Sequence, residues 1–129
     1  MDKLEYIPGD FISVYVGVKK YIVEVIGTEN ENEALLYQIK FPNGQIQYAD
    51  KDNIVPIPLT PEILEKNGWR EEKGDYINDN YHIRLCEKID SYSAYKVVND
   101  TIVWLRDIES VSDLQHLFFG LNLNSEMEV

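Results

Sequence analysis

Cysteine is nearly missing from this chain: Cys86 is the single one among 129 residues. That excludes an internal disulfide framework and leads to the expectation of a reducing, cytoplasmic setting. Long apolar runs are missing as well. No stretch approaches the roughly 18 consecutive apolar residues of a membrane helix, and no cationic-then-apolar leader is evident, so no membrane partner is expected. Positive charge is scarce: 12 Lys and Arg stand against 23 Asp and Glu, a net charge of −11. Direct binding to duplex nucleic acid is therefore not expected, because phosphate contacts need clustered cations. Histidine is limited to His82 and His116, and no CxxC, HxxxH or HExxH pattern is present, so no metal site is expected. His82 and Cys86 are four positions apart. On a strand that spacing puts them on one face but roughly 13 Å apart, too far to share a zinc ion. The seven glycines are dispersed without GxGxxG or GxxxxGK[ST], which leaves no phosphate cradle and no expected cofactor.

What the chain does have is an ordinary globular share of apolar residues, 44%. The acids are scattered. Residues 1–58 hold nine acids and five bases, and residues 59–129 hold fourteen and seven, so both parts are acidic. Short clusters occur at Glu29, Glu31 and Glu33 and at Glu71, Glu72 and Asp75. A dispersed excess of this kind describes a solvated surface; the sharper alternative is a surface that imitates nucleic-acid phosphates.

The first 58 residues alternate apolar and polar positions with period two. Strands are expected at 11–16, 21–26, 35–41 and around Ile46 and Tyr48, with a last one at 54–57 confined to an edge or an end by Pro56 and Pro58. Residues 28–32 are expected to form a loop. Pro42-Asn43-Gly44 marks a hairpin, since Asn-Gly accepts positive φ. Residues 50–53 mark a polar turn. Five short strands suit an SH3-like small β-barrel, or a bent antiparallel sheet that does not close.

From Leu59 onward the signals are local and concordant. Thr60 is placed to cap a helix with Pro61 in its first position and Glu62 near its positive end. Leu59 and Leu64 occupy the positions of a hydrophobic staple, and Gly68 with Trp69 closes the helix, expected over 61–67. Extended segments are expected next at 69–72, 76–77, 81–86, 92–98 and 101–105, with turns at Lys73-Gly74 and Asn99-Asp100, and not all of them are expected to pair: the meander is expected to have three or four strands. A helix over 110–119 closes the fold, capped by Ser110, with Val111, Leu114, Leu117, Phe118 and Leu121 on one face and Gly120 as its stop. Residues 122–129 are expected to fray.

The fold class is α+β: residues 1–58 as an SH3-like β subdomain and residues 59–129 as an α-β-meander-α subdomain packed on it. A barrel this small buries a marginal core. Leu64, Trp69, Trp104, Leu114, Leu117 and Phe118 are expected to form a joint core.

With these elements placed, the sequence resembles a family of small proteins encoded in Bacteroides-type bacteria, often in phage-like or mobile regions. The resemblance rests on Ile57-Pro58-Leu59-Thr60 with Glu62, Leu64 and Gly68-Trp69, and on Val111, Leu114-Gln115 and Leu117-Phe118-Phe119 with Leu121. Gly9-Asp10-Phe11-Ile12 and Asp52-Asn53-Ile54 before Pro56 match more loosely. The chain departs from the family at Ser112, where His is common, and at His116, where Asn is common. The resemblance implies the α+β architecture and a mobile-element origin; it implies no catalytic or ligand-binding residues.

Candidate binding residues come from the aromatics, nine Tyr, four Phe and two Trp. Tyr15, Tyr21 and Tyr48 beside Asp50 and Asp52 would make an aromatic and acidic surface for a cationic group or peptide. Tyr21 and Tyr48 also lie on strand stripes, where core or rim packing explains them equally. On the closing helix, Gln115 and His116 beside the apolar stripe are candidates to contact a partner, and Phe119 lies off the stripe, where a second protein surface, such as the barrel or a dimer mate, would cover it. Cys86 fits a small core position. The expected function is a non-enzymatic interaction module, an accessory protein of a phage or mobile element that binds another protein or itself. The alternatives are an acidic inhibitor that mimics nucleic acid, and a small enzyme centred on Cys86 or His116.

Overall fold

Alternating β-branched and polar residues build the first sheet of the computed structural model, which describes residues 5–129. The chain divides into two compact units, Met1–Ile57 and Pro58–Val129. In the first unit, strands β1 (Phe11–Val16), β2 (Lys19–Glu31), β3 (Ala34–Lys40), β4 (Ile46–Asp50) and β5 (Ile54–Val55) form one antiparallel sheet in the order β4-β3-β2-β1-β5. Ile12, Val14, Val23, Val25, Tyr37, Ile39, Ala49 and Ile54 are buried with Tyr6 in one cluster. Tyr6 and Tyr37 meet edge to face, ring centroids 5.5 Å apart.

The sheet is open. β4 and β5 are its edges, so the closure of an SH3-like barrel is not present and the architecture is that of an open antiparallel sheet. The expected loop at 28–32 is also corrected: β2 runs on through Glu31, and the reversal falls on Asn32 and Glu33, both at positive φ (49° and 67°). Ile26 is an extra residue between the Val25–Ile39 and Gly27–Gln38 pairs. Such a bulge shifts the alternation by one, so Glu29 and Glu31 fall with Gly27 on the face opposite Val23 and Val25. The polar turn at residues 51–53 is one 3-10 turn, capped by the Asp50 carboxylate, which accepts from the Asp52 amide at 3.0 Å.

In the second unit, helix α1 (Pro61–Lys66) forms as its local signals require. Thr60 Oγ1 accepts from the Ile63 amide at 3.3 Å. Gly68 sits at φ 84°, and the Trp69 amide donates back to the Leu64 carbonyl at 3.1 Å, the six-to-one bond of a Schellman close. Five strands follow: β6 (Arg70–Glu72), β7 (Asp75–Asn78), β8 (Ile83–Lys88), β9 (Ser91–Val98) and β10 (Thr101–Ile108), paired in the order β10-β9-β8-β7-β6. The meander thus has five strands where three or four were expected. Helix α2 (Val111–Gly120) follows, with Ser110 Oγ accepting from the Asp113 amide at 3.2 Å. Arg106 on β10 and Asp113 on α2 form an ion pair at 3.3 Å.

Of the six residues expected in a joint core, all of which belong to the second unit, Leu64, Trp69, Leu114, Leu117 and Phe118 are buried. The Trp69 and Phe118 rings stack at 6.1 Å, and Tyr81 meets Phe118 edge-on at 5.5 Å. Trp104 is the exception, 57% exposed. Gly120 does not stop α2. The helix includes it, and Asn122 at φ 59° makes the stop, with the Leu123 amide reaching the Phe118 carbonyl at 2.8 Å. Leu121, expected on the buried stripe, is exposed. Nor does the tail fray: Met127 is buried, the Asn67 side chain donates to the Glu128 carbonyl and accepts its amide (both 2.8 Å), and the Gln115 amide donates to the Ser125 carbonyl at 3.1 Å.

Candidate functional site on the open face of the second sheet

Residues directly opposite one another on neighbouring strands share a face. Register in the second sheet therefore sorts its side chains into two sets. Tyr76, Leu85, Ala94 and Ile108, all buried, mark one face, and Arg106 with its ion pair to α2 lies on it. The other face carries a row running straight across the five strands: Arg70, Ile77, Arg84, Tyr95 and Trp104, each paired with the next. Beside Tyr95 and Trp104 lies the pair Val97 and Ile102. Trp104 and Ile102 are 57% and 58% exposed, and Val97 is exposed as well.

Trp104 reaches this face through one extra residue. Trp104 opposes Tyr95 while Arg106 opposes Ala94, so Leu105 is a bulge in β10. Without it, strict alternation from Ile108 through Arg106 would aim Trp104 at α2.

The remaining polar groups of this face neutralise one another. Arg70 pairs with Glu72 at 2.8 Å, Arg84 with Asp75 at 2.8 Å and Lys88 with Asp107 at 3.2 Å. The Arg84 guanidinium uses both Nε and Nη2 on Asp75 Oδ2. Hydrogen bonds from the Ser93 hydroxyl, then from Lys88, hold the Asp107 carboxyl below its ordinary range. At the edge beyond β7, Arg70 also grips Asp79 and lowers that carboxyl likewise.

Cys86 lies on the same face, opposite Ser93 and half-buried, where a core position was expected. Burial pushes its thiol up from the ordinary value, with Asp75 adding to the shift and Arg84 opposing it. A raised pKa means less thiolate at a given pH. At pH 8 the folded chain is therefore expected to react with iodoacetamide several-fold more slowly than the urea-unfolded chain at the same pH. Equal rates, followed by mass spectrometry, would contradict this environment.

The residues singled out from the sequence are not brought together. Tyr15 and Tyr48 lie on the face of the first sheet opposite its core, while Tyr21 lies on the core side against Phe41, at 5.7 Å. Tyr15 stands under Lys20, 6.0 Å from its ring centroid, and the Tyr48 hydroxyl is hydrogen-bonded to Glu29, which raises its pKa. Asp50 is occupied as a cap, and Asp52 is exposed in the turn after it. Gln115 is 2% exposed and cannot meet a partner; His116 is half-buried, and Phe119 is 65% exposed on α2. His82 is in a turn at φ 55°, not on a strand. Among the described residues no group of His, Cys, Asp and Glu is arranged to hold a metal ion. A cleft of about 170 Å³ lies between Trp69, Tyr81, Phe118 and Met127, and neither Cys86 nor His116 lines it.

Tyr95, Val97, Ile102 and Trp104 were missed from the sequence as a surface. The available signal was the run Ile102-Val103-Trp104-Leu105, apolar at every position where a one-sided strand alternates. No protein-family model, curated protein or solved structure matches the chain in comparison with known proteins.

Proposed function

We propose that this chain is a non-enzymatic protein-interaction module that docks through the open face of its second sheet. The observation that carries the reading is the exposed Trp104 with Ile102, beside Tyr95 and Val97 on a sheet face. Trp, Tyr and Arg are the residues that dominate binding energy at protein interfaces, and this face holds all three in one cross-strand row. An apolar cluster left in water costs free energy that a partner surface recovers. Every cation of the face is already engaged by an acid, which argues for a protein partner rather than a phosphate backbone. A mobile-element accessory role belongs to the same proposal and is supported by the family resemblance. A reducing, cytoplasmic setting is supported by the lone Cys86. No helix among the described residues is long and apolar enough to cross a membrane.

The test compares tagged wild type with Trp104→Ser as baits in lysate of the source cells. Wild type is expected to retain a protein that the variant retains at least tenfold less. Equal retention by both, with the variant folded by circular dichroism, would place binding elsewhere.

A further inference from the structure

Resting on that reading, we infer that the partner of the open face is a second copy of this chain, docked by a two-fold axis through the Tyr95, Val97, Ile102 and Trp104 patch. The first argument is charge. The whole chain carries −11, so two copies repel over most approaches. The open face is different. Its strands contribute three cations, Arg70, Arg84 and Lys88, and three acids, Glu72, Asp75 and Asp107, joined pairwise within the face. Two such faces, each close to neutral, meet without the repulsion that the net charge imposes elsewhere. A strongly basic partner would gain little from a face whose strand acids are each paired with a cation.

The second argument is shape and chemistry. In a two-fold interface the same patch serves both sides, so the patch must be complementary to itself. An apolar, aromatic patch on a sheet face satisfies that condition: burying Trp104 and Ile102 against their own symmetry mates removes both copies' exposed apolar surface at once. The two residues of β10 that contribute, Ile102 and Trp104, are exposed and uncharged, and β10 is the edge of its sheet. The turn at Asn99 and Asp100, both at positive φ, holds this hairpin in a fixed form before association.

The third argument is size, and it sets the strength. Five strands at about 4.8 Å spacing and about 20 Å long give a face near 500 Å² per copy, near 1,000 Å² for two. Stable complexes bury roughly 1,200–2,000 Å² in total, and smaller contacts are weak and transient. A weak, concentration-dependent dimer is therefore expected.

Sedimentation velocity on the full chain from 5 to 500 μM tests this, with Trp104→Ser and Ile102→Ser as two separate variants. Both side chains are more than half exposed, so both variants are expected to fold, as circular dichroism would verify. Wild type is expected to shift from monomer to dimer across the range, and each variant to weaken the association at least tenfold. Raising sodium chloride from 50 to 500 mM is expected to tighten the wild-type dimer several-fold, since salt screens the repulsion between the two acidic bodies. Wild type that stays monomeric to 500 μM overturns the second copy as occupant, while the lysate comparison still decides whether the face binds another protein. Dimers that persist unchanged in both variants, or that loosen with salt, also overturn it.

Discussion

Replacing Leu64 with alanine is expected to destabilise the second unit by about 3 kcal/mol, within the range of about 2–5 kcal/mol for a buried leucine. Leu64 is fully buried, on a helix of only six residues. An isolated helix that short does not persist in water, so packing of its apolar residues maintains it. Truncating Leu64 removes that packing and leaves a cavity that a capped, closed turn cannot readily collapse to fill. Of a typical total of about 5–15 kcal/mol, this is a large fraction. The measurement is urea unfolding followed by tryptophan emission. Both tryptophans lie in this unit, Trp69 buried and Trp104 exposed. In a Trp104→Ser background Trp69 is the one remaining reporter, and it adjoins α1. Glu65→Ala on the exposed side of the same helix is the control, expected within about 0.5 kcal/mol of wild type. A Leu64→Ala loss below about 1 kcal/mol would contradict the packing described.

The second large effect belongs to the first unit. Tyr37→Ala is expected to cost about 4 kcal/mol, as for other buried aromatic truncations. Tyr37 is 1% exposed at the centre of the sheet, its ring set edge-on to Tyr6 at 5.5 Å. Its hydroxyl accepts from the Glu5 amide at 3.2 Å. These two roles separate in Tyr37→Phe, which keeps the ring and loses the acceptor, and is expected to cost about 1 kcal/mol. Because no tryptophan lies in this unit, amide hydrogen exchange of β2 and β3 is the suitable readout. Equal losses in the two variants would mean that the hydroxyl, not ring packing, holds the site.

Where structure depends on neighbours in sequence, the chain was legible in detail. Thr60, Pro61 and Gly68 each take the local role that their residue type implies, and the Trp69 amide closes the helix on Leu64, because caps and closures form within one turn of helix. Asn43-Gly44, Lys73-Gly74 and Asn99-Asp100 mark turns for the same reason. Asn32-Glu33 was not legible, since a glutamate at φ 67° contradicts its usual preference and hides the turn. The tail was misjudged because its anchors are remote: Asn67 holds Glu128 across 61 positions.

The candidate site was legible as composition but not as a place. Aromatic abundance pointed to a binding surface, and the tyrosines chosen for it, Tyr15, Tyr21 and Tyr48, divide between two faces of the first sheet. The face that does collect aromatics lies on the second sheet, where Tyr95 and Trp104 meet across β9 and β10.

The sequence by itself determined the α+β class, both helices with their caps, most of the strands and the dispersed acidity that a lone cysteine and few cations accompany. These follow from side-chain periodicity and from interactions within a few residues. Tertiary structure alone decided that the first sheet stays open, that the tail is held, and that Trp104 faces water. The last turns on Leu105: period-two alternation has no term for an unpaired residue, and one bulge carries every side chain beyond it to the other face.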